Sequence, residues 1–198
     1  MNKEEESPGQ ISQSIDAEMN SRLLESLKST LGKVERYVLV ALFSAVVFAV
    51  LSLPEAQIGV APGEGVKWTL FGFSLNFDPR LALIVLYALF FFSYLLADNM
   101  LLHIRDLTKR LNKTDVQAVL THPTILTVSP IGQFVVTLIP SVLICLGLAK
   151  SHYSGSFQLH SLVWWFAYGF GGLLGPAVLV RVRQYIAPYL LKDIRTRT

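Results

Sequence analysis

The apolar run YVLVALFSAVVFAVLSL, residues 37–53, decides the fold class of this chain. It contains no charged residue, and Pro54 follows it as a stop. A helix needs roughly 20 apolar residues to cross the hydrocarbon core of a bilayer, with a range of about 17 to 25. Residues 81–102, 131–149 and 161–180 form three further runs of this kind. The sequence therefore predicts four transmembrane helices.

The composition of the whole chain also indicates a membrane protein. Of its 198 residues, 52% are hydrophobic and 16% are charged, and the mean hydropathy is +0.48. A soluble domain carries about 25% charged residues. Cys145 is the only cysteine, which excludes a disulfide within the chain. The net charge is only +3 and the basic residues flank the apolar runs, so we expect no nucleic-acid binding.

The Lys and Arg residues predict the orientation of the four spans. Residues 1–36, the loop between the second and third spans and the segment after the fourth span contain fourteen of them, whereas the other two loops contain three. In membrane proteins the cytoplasmic loops carry this excess. Both termini are therefore predicted to be cytoplasmic, in a multi-pass protein of the plasma (inner) membrane.

The segment before the first span divides into two predicted parts. Residues 1–10 are acidic and polar, which predicts a disordered tail. In residues 11–36 apolar residues recur at steps of three and four, which predicts a cytoplasmic amphipathic helix. Its apolar stripe lies either on the membrane surface or against a partner helix, and the mixed charges of its polar face favour the partner. The predicted partner-binding residues are Met19, Leu23, Leu27 and Leu31.

The segment between the first two spans predicts a small extracytoplasmic β-hairpin. Phe71, Phe73, Leu75 and Phe77 alternate with small or polar residues, after a stretch rich in Pro and Gly. Alternation with a period of two is typical of strands. The alternative is an apolar loop that rests on the outer end of the helix bundle.

The same region has one resemblance to known proteins. Leu53-Pro54, the aromatic segment ending near Pro79 and the run LALIVLY at residues 81–87 resemble a two-span unit. That unit occurs in various bacterial membrane proteins, some of which carry attached repeat domains. The resemblance implies a bacterial origin and no particular activity.

Charged residues at the ends of the second and fourth spans have local interpretations. Near the cytoplasmic end of the second span lie Asp98, His103, Arg105 and Asp106. We interpret them as a solvated helix surface, with a local ion pair or a proton-sensitive site as the alternatives. Residues 181–198 are predicted to be a basic cytoplasmic tail. In this tail Arg181 and Arg183 are predicted to anchor the fourth span to lipid headgroups.

Two patterns inside the spans supply candidate site residues. Gly171 and Gly175 form a small-xxx-small step in the fourth span, which predicts close packing of helices, with a hinge ahead of Pro176 as the alternative. On one face of the third span, three polar residues either line a polar path or form hydrogen bonds between helices, and the second arrangement is favoured. These residues are Gln133, Thr137 and Ser141.

The sequence predicts no catalytic, cofactor or metal site. No acid, base and nucleophile converge, and His152 and His160 alone are too few for a metal site. The 37–180 membrane domain contains no Lys, Arg or Glu within its spans, which argues against an ion-coupled transporter.

The fold is therefore predicted to be an all-α integral membrane protein, with four transmembrane helices, an amphipathic N-terminal helix and a small extracytoplasmic β-hairpin between spans 1 and 2. We expect a non-catalytic accessory, scaffold or signal-receiving subunit that acts through protein partners. The alternative is a homo-oligomeric pore or membrane-permeabilising effector lined by the third span. The expected partners are membrane lipids and either further copies of this chain or another membrane protein.

Overall fold

The computed structural model describes the backbone of residues 8–52, 66–70, 73–77, 79–120, 126, 130–153 and 161–190, and most side chains within 17–52, 81–120, 126, 131–150 and 163–189. Within these residues it contains six helices and two strands. In chain order they are α1 (Pro8–Leu51), β1 (Val66–Leu70), β2 (Phe73–Phe77), α2 (Pro79–Arg110), α3 (Lys113–Leu120), α4 (Pro130–Tyr153), α5 (Ser161–Tyr185) and α6 (Ala187–Leu190). The predictions for residues 1–7, the Pro- and Gly-rich stretch, His160 and residues 191–198 lie outside the described residues.

Four helical segments of the described residues are long and apolar enough to cross a membrane. They are Ala17–Leu51, Leu81–Arg110, Ile131–Lys150 and Trp165–Tyr189. This confirms the prediction of four helices of transmembrane length. All four extend beyond the predicted spans, because the helices continue into residues that are too polar to count as part of an apolar run.

Helix α1 joins the predicted cytoplasmic helix and the first span into one element. It begins at Pro8, so residues 8–10, predicted to be disordered, are helical. Proline suits a first helical position, because its φ angle is fixed near the helical value and it lacks an N–H group that would have no partner there. Gly32 does not interrupt the helix. At about 1.5 Å per residue, α1 is roughly 66 Å long, about twice the hydrocarbon thickness of a bilayer.

A buried stripe that repeats every seven residues holds α1 against α2, which is the most extensive helix pair. Alternating steps of four and three residues are typical of helix pairs that wind around each other in a left-handed sense. Alanines in the middle of both stripes allow a close approach of the two helices. The stripe is Leu27, Leu31, Val34, Val38, Ala41, Ala45 and Phe48 in α1, and Phe90, Tyr94, Ala97, Leu101, Ile104, Thr108 and Leu111 in α2 and directly after it.

The four long helices form a closed bundle in the order α1, α2, α5, α4, in which each helix contacts the next and α4 contacts α1. The rings of Phe48 and Tyr87 lie 6.4 Å apart, and the Tyr87 hydroxyl donates a hydrogen bond of 2.8 Å to the carbonyl oxygen of Ala167. These contacts bring the end of α1 and the beginnings of α2 and α5 together. Consecutive spans therefore run in opposite directions, and the beginning of α1 and the end of α5 lie at the same end of the bundle.

A layer of helix covers that end of the bundle. The short helix α3 contacts α1 and α6, and α6 contacts α5. Val116 and Leu120 of α3, and Ile186 before α6, are fully buried in the same core as Leu27 and Ile104. We call residues 17–36, 101–120 and 186–190 the end layer. The end layer is a continuation of the hydrophobic core of the spans. That it faces the cytoplasm stays a prediction.

Strands β1 and β2 lie in the stretch for which the sequence predicts a hairpin. They pair antiparallel, with Val66 opposite Phe77 and Leu70 opposite Phe73. Residues 71–72 and the side chains of both strands lie outside the described residues. The extracytoplasmic position of this pair is a prediction that follows only from the orientation of the spans.

Candidate functional site

The candidate polar residues of the third span point into the bundle. Gln133, Thr137 and Ser141 are 4%, 0% and 3% exposed. Gln133 Nε2 donates to the carbonyl oxygen of Leu126 at 2.6 Å, and Thr137 Oγ1 donates to that of Gln133 at 2.6 Å. Ser141 Oγ accepts a hydrogen bond of 3.0 Å from the N–H of Gly175. Each side chain is thus bonded within the chain, but only the Ser141–Gly175 bond joins two helices, since Thr137 bonds within α4 and Gln133 bonds to Leu126 ahead of α4.

Tyr94 completes the hydrogen bonding of α4 around Pro140. A proline has no N–H, so the carbonyl of Val136, four residues earlier, loses its helical donor. The Tyr94 hydroxyl shares its one proton between two carbonyl oxygens, that of Thr137 at 2.8 Å and that of Val136 at 3.2 Å. Its ring is fully buried and meets Phe90 edge to face, with centroids 5.0 Å apart. A hydroxyl of α2 therefore supplies a donor where Pro140 removes one.

Gly175 marks the closest approach of α4 and α5. A Cβ atom at this position would overlap the carbonyl oxygen of Thr137 and Oγ of Ser141. At Gly171 a Cβ atom would lie 3.0 Å from Cγ2 of Ile144, which is tight but leaves room for a small shift. The two predicted packing glycines therefore contact a neighbouring helix of the same chain. We call Tyr94, Gln133, Thr137, Ser141 and Gly175 the polar seam.

A third close approach, at Gly147 of α4, was missed by the sequence analysis. A Cβ atom there would lie 2.7 Å from Cε1 of Phe48 and 3.0 Å from Oγ of Ser52, both in or directly after α1. The signal was present in the sequence, because Gly147 and Ser151 form the same small-xxx-small step as Gly171 and Gly175. This glycine brings α4 against the end of α1.

An ion pair between α2 and α5 corrects the interpretation of two charged residues. Arg181 Nη1 lies 2.8 Å from Asp98 Oδ2, with the two side chains 32% and 24% exposed. Asp98 is thus not a solvated surface group or a partner of Arg105, which pairs with Asp106 at 3.2 Å and lies over the ring of Tyr185. Because α5 continues as a helix past residue 180, Arg181 faces α2 and its guanidinium pairs with Asp98 there. Of the two arginines predicted to anchor the fourth span to lipid headgroups, Arg183 is exposed and Arg181 is half-buried.

The four predicted partner-binding residues divide into a covered and an uncovered pair. Leu27 and Leu31 are buried in the core of this chain, where α1 packs on α2 and α3. Leu23 is partly buried against the same core, and Met19 is 54% exposed. Two of the four residues are therefore covered by other helices of this chain. Only Met19 and Leu23 are accessible to another protein.

We expect the Asp98–Arg181 pair to contribute modestly to stability. Both side chains are about a quarter to a third exposed, and ion pairs that reach solvent are worth less than about 1 kcal/mol. A double-mutant cycle with Asp98→Asn and Arg181→Gln, measured by unfolding in detergent, is expected to give a coupling energy of about 0.5 to 1 kcal/mol.

The matched control for this cycle is the pair of Glu18 and Arg22, whose charged atoms lie 2.6 Å apart on the exposed surface of α1. It is expected to give a smaller coupling energy, of about 0.3 kcal/mol. A coupling energy at Asp98–Arg181 no larger than that of the control would show that the ion pair does not hold α2 to α5.

Comparisons with protein-family models, with curated proteins and with solved structures find no match to this chain. In the part of the chain whose side chains are described, no three His, Cys, Asp or Glu residues are grouped as a metal site would require. Two features of the described residues bear on function: the polar seam and the exposed residues 17–22 of α1.

Proposed function

We propose that this chain is a non-catalytic accessory or scaffold subunit of a membrane complex, and that it binds a protein partner through the exposed turns of α1 at residues 17–22. One observation carries the proposal. Helix α1 extends from Pro8, yet five of the six residues from 17 to 22 are exposed, and Asn20 is half-buried. Among the described side chains of α1, which begin at residue 17, the first that is fully buried is Leu27.

The stability of a projecting helix explains why this observation points to a partner. Backbone hydrogen bonds alone leave a short helix marginal in water, and most helical stability in proteins comes from packing of an apolar face. The face that packs internally at Leu27 and Leu31 continues through Leu23 to Met19 in steps of four residues. A partner helix that extended this packed stripe would bury Met19 and stabilise the projecting turns.

The Lys and Arg distribution supports a cytoplasmic position for the end layer and an extracytoplasmic position for the β1–β2 pair, in the plasma (inner) membrane. The partner would then be a cytoplasmic protein or the cytoplasmic part of another membrane protein. A homo-oligomeric pore has less support, because the side chains suggested as its lining are hydrogen-bonded inside the bundle.

The test compares two substitutions that add the same charge to opposite faces of α1. Met19→Glu places a carboxylate on the apolar face, and Ser21→Glu places one on the other face, two residues away. Complexes are extracted with their surrounding lipid from the native membrane, and the ratio of partner to this chain is measured. We expect Met19→Glu to lower that ratio about tenfold, the equivalent of 1.4 kcal/mol, and Ser21→Glu to leave it unchanged.

A deletion of residues 1–20 serves as the second variant, because it stops before the core residues Leu27 and Leu31. It should remove the partner without changing the thermal stability of the four-helix bundle. The proposal is wrong if both glutamate variants retain the partner fully, or if the deletion retains it. Leakage of a small dye from vesicles that contain only this chain would instead favour the pore.

A further inference from the structure

A groove on the outer surface of the bundle, between α4 and α5, has a lining suited to an acyl chain. Its volume is about 450 Å³, and its walls are almost wholly apolar. Its lining includes Phe134, Leu138, Val142 and Leu146 of α4, and Gly172 and Pro176 of α5. Ser141, at its base, is already bonded to Gly175. Gly172 widens the groove, since it has no side chain.

The direction of the groove follows from the antiparallel contact of the two helices. Ser141 meets Gly175, and Ile144 meets Gly171. Lower residue numbers in α4 therefore lie against higher numbers in α5. Phe134 is thus at the end of the groove that points toward the end of α5.

An exposed cation lies beyond that end, on the same face of α5 as the groove. Steps of four, four and three residues connect Gly172, Pro176, Val180 and Arg183, which places them in one row along the helix. Val180 and Arg183 are both exposed. Arg183 lies about 10 Å along the helix from Pro176. Within the described residues Arg183 has no ion-pair partner, in contrast to Arg181.

We propose that this groove and Arg183 form one binding site for an anionic phospholipid. An acyl chain lies between α4 and α5, and the phosphate of the headgroup pairs with the guanidinium of Arg183. Arginine is suited to this contact because its planar fork of N–H groups matches a phosphate. The groove binds the acyl chain of the lipid, and Arg183 gives the preference for a negatively charged headgroup. The site is independent of the proposed partner surface on α1.

The test measures which lipid the protein retains. The purified protein is reconstituted in nanodiscs of equimolar phosphatidylglycerol and phosphatidylcholine, released into the gas phase and weighed with its bound lipid. The wild type is expected to retain phosphatidylglycerol in preference to phosphatidylcholine by about fivefold, which corresponds to one basic side chain at the membrane surface. Arg183→Gln should remove that preference.

Two matched controls separate this site from the general attraction of basic residues. Arg36→Gln removes an exposed arginine that lies just before the first predicted span and away from the groove, and it should keep the preference. Val142→Trp fills the groove and should lower the total retained lipid at least twofold, whereas Val135→Trp, also exposed on α4 but outside the groove, should not.

Three outcomes would overturn the proposal. The first is equal retention of the two lipids by the wild type, and the second is an equal effect of Arg183→Gln and Arg36→Gln. The third is full displacement of the retained lipid by glycerol phosphate, which has a headgroup phosphate and no acyl chain. That outcome would mean that the groove contributes nothing to binding.

Discussion

Gly175→Ala is expected to destabilise the fold by about 3 kcal/mol, because its added methyl group has no space. The Cβ atom would overlap a backbone oxygen, that of Thr137, which cannot rotate away as the end of a side chain can. It would also displace Ser141 Oγ from its hydrogen bond with the N–H of Gly175. Helices α4 and α5 would have to separate along their contact.

Gly169→Ala on the same helix is the matched control. Gly169 is exposed, and nothing lies within 4 Å of its missing Cβ atom. Alanine is favoured over glycine inside a helix by about 1 kcal/mol, so this variant should be neutral or slightly stabilised. Gly171→Ala should be intermediate, since only Ile144 has to shift.

The measurement is the unfolding midpoint in detergent, determined for the three variants under one condition. The expected order of stability is Gly169→Ala, then Gly171→Ala, then Gly175→Ala. If Gly175→Ala unfolded at the same midpoint as Gly169→Ala, the close approach of α4 and α5 at Gly175 would be contradicted.

Tyr94→Phe is expected to cost about 1 to 2 kcal/mol of stability, although it removes a single oxygen atom. The ring and its contact with Phe90 are retained, so the loss isolates the one proton that the hydroxyl shares between the carbonyl oxygens of Val136 and Thr137. The Val136 carbonyl would be left without a donor in an apolar interior. An unpaired buried carbonyl costs more than the net value of an ordinary hydrogen bond.

Tyr87→Phe is the control for this variant. The Tyr87 hydroxyl also donates to a backbone oxygen, that of Ala167, at 2.8 Å. Residue 171, four positions later, is a glycine with an N–H, so the Ala167 carbonyl keeps its helical donor. Tyr87→Phe should therefore cost less than Tyr94→Phe, about 0.5 kcal/mol.

A Pro140→Ala background tests the cause directly. Alanine restores an N–H to position 140, which can donate to the Val136 carbonyl. In that background Tyr94→Phe should lose at least half of its effect on the unfolding midpoint. An unchanged effect would mean that Tyr94 stabilises the bundle for a reason unrelated to Pro140.

The spans could be predicted from the sequence because transmembrane length and apolarity are local properties of the chain. The core stripe within the spans was harder to recognise. Ala41, Ala45 and Ala97 face the core, while Phe43 and Phe92 are exposed to the surroundings. In a membrane the outward face is as apolar as the core, so hydrophobic periodicity does not distinguish them.

The sequence pattern of α1 did not identify what covers its apolar stripe. Steps of three and four residues predict an apolar face that contains Leu27 and Leu31, but the pattern does not say which chain covers that face. Here α2 and α3 cover it, and both follow α1 by many residues. Of the four residues predicted to bind a partner protein, Leu27 and Leu31 therefore pack within this chain. The turns around Met19 are the part of the predicted stripe that another protein can still cover.

The pairing of Asp98 with Arg181 could not be predicted for a related reason. Each residue was interpreted from its neighbours along the chain, as a hydrated carboxylate and as an anchor at the end of a span. Their contact depends on α5 packing beside α2, which is a property of the whole bundle. The same holds for Tyr94, since its role appears only when Pro140 of α4 is placed opposite it.

The proposed partner binding is tested by the mass and composition of the wild-type complex, extracted from its own membrane with its lipid retained. A membrane subunit whose α1 extends beyond its own core is expected to be recovered with one other protein at a fixed ratio, and that partner should cross-link to a photoreactive residue at position 19. Recovery of this chain only as a monomer or as a homo-oligomer would show that α1 does not bind a different protein.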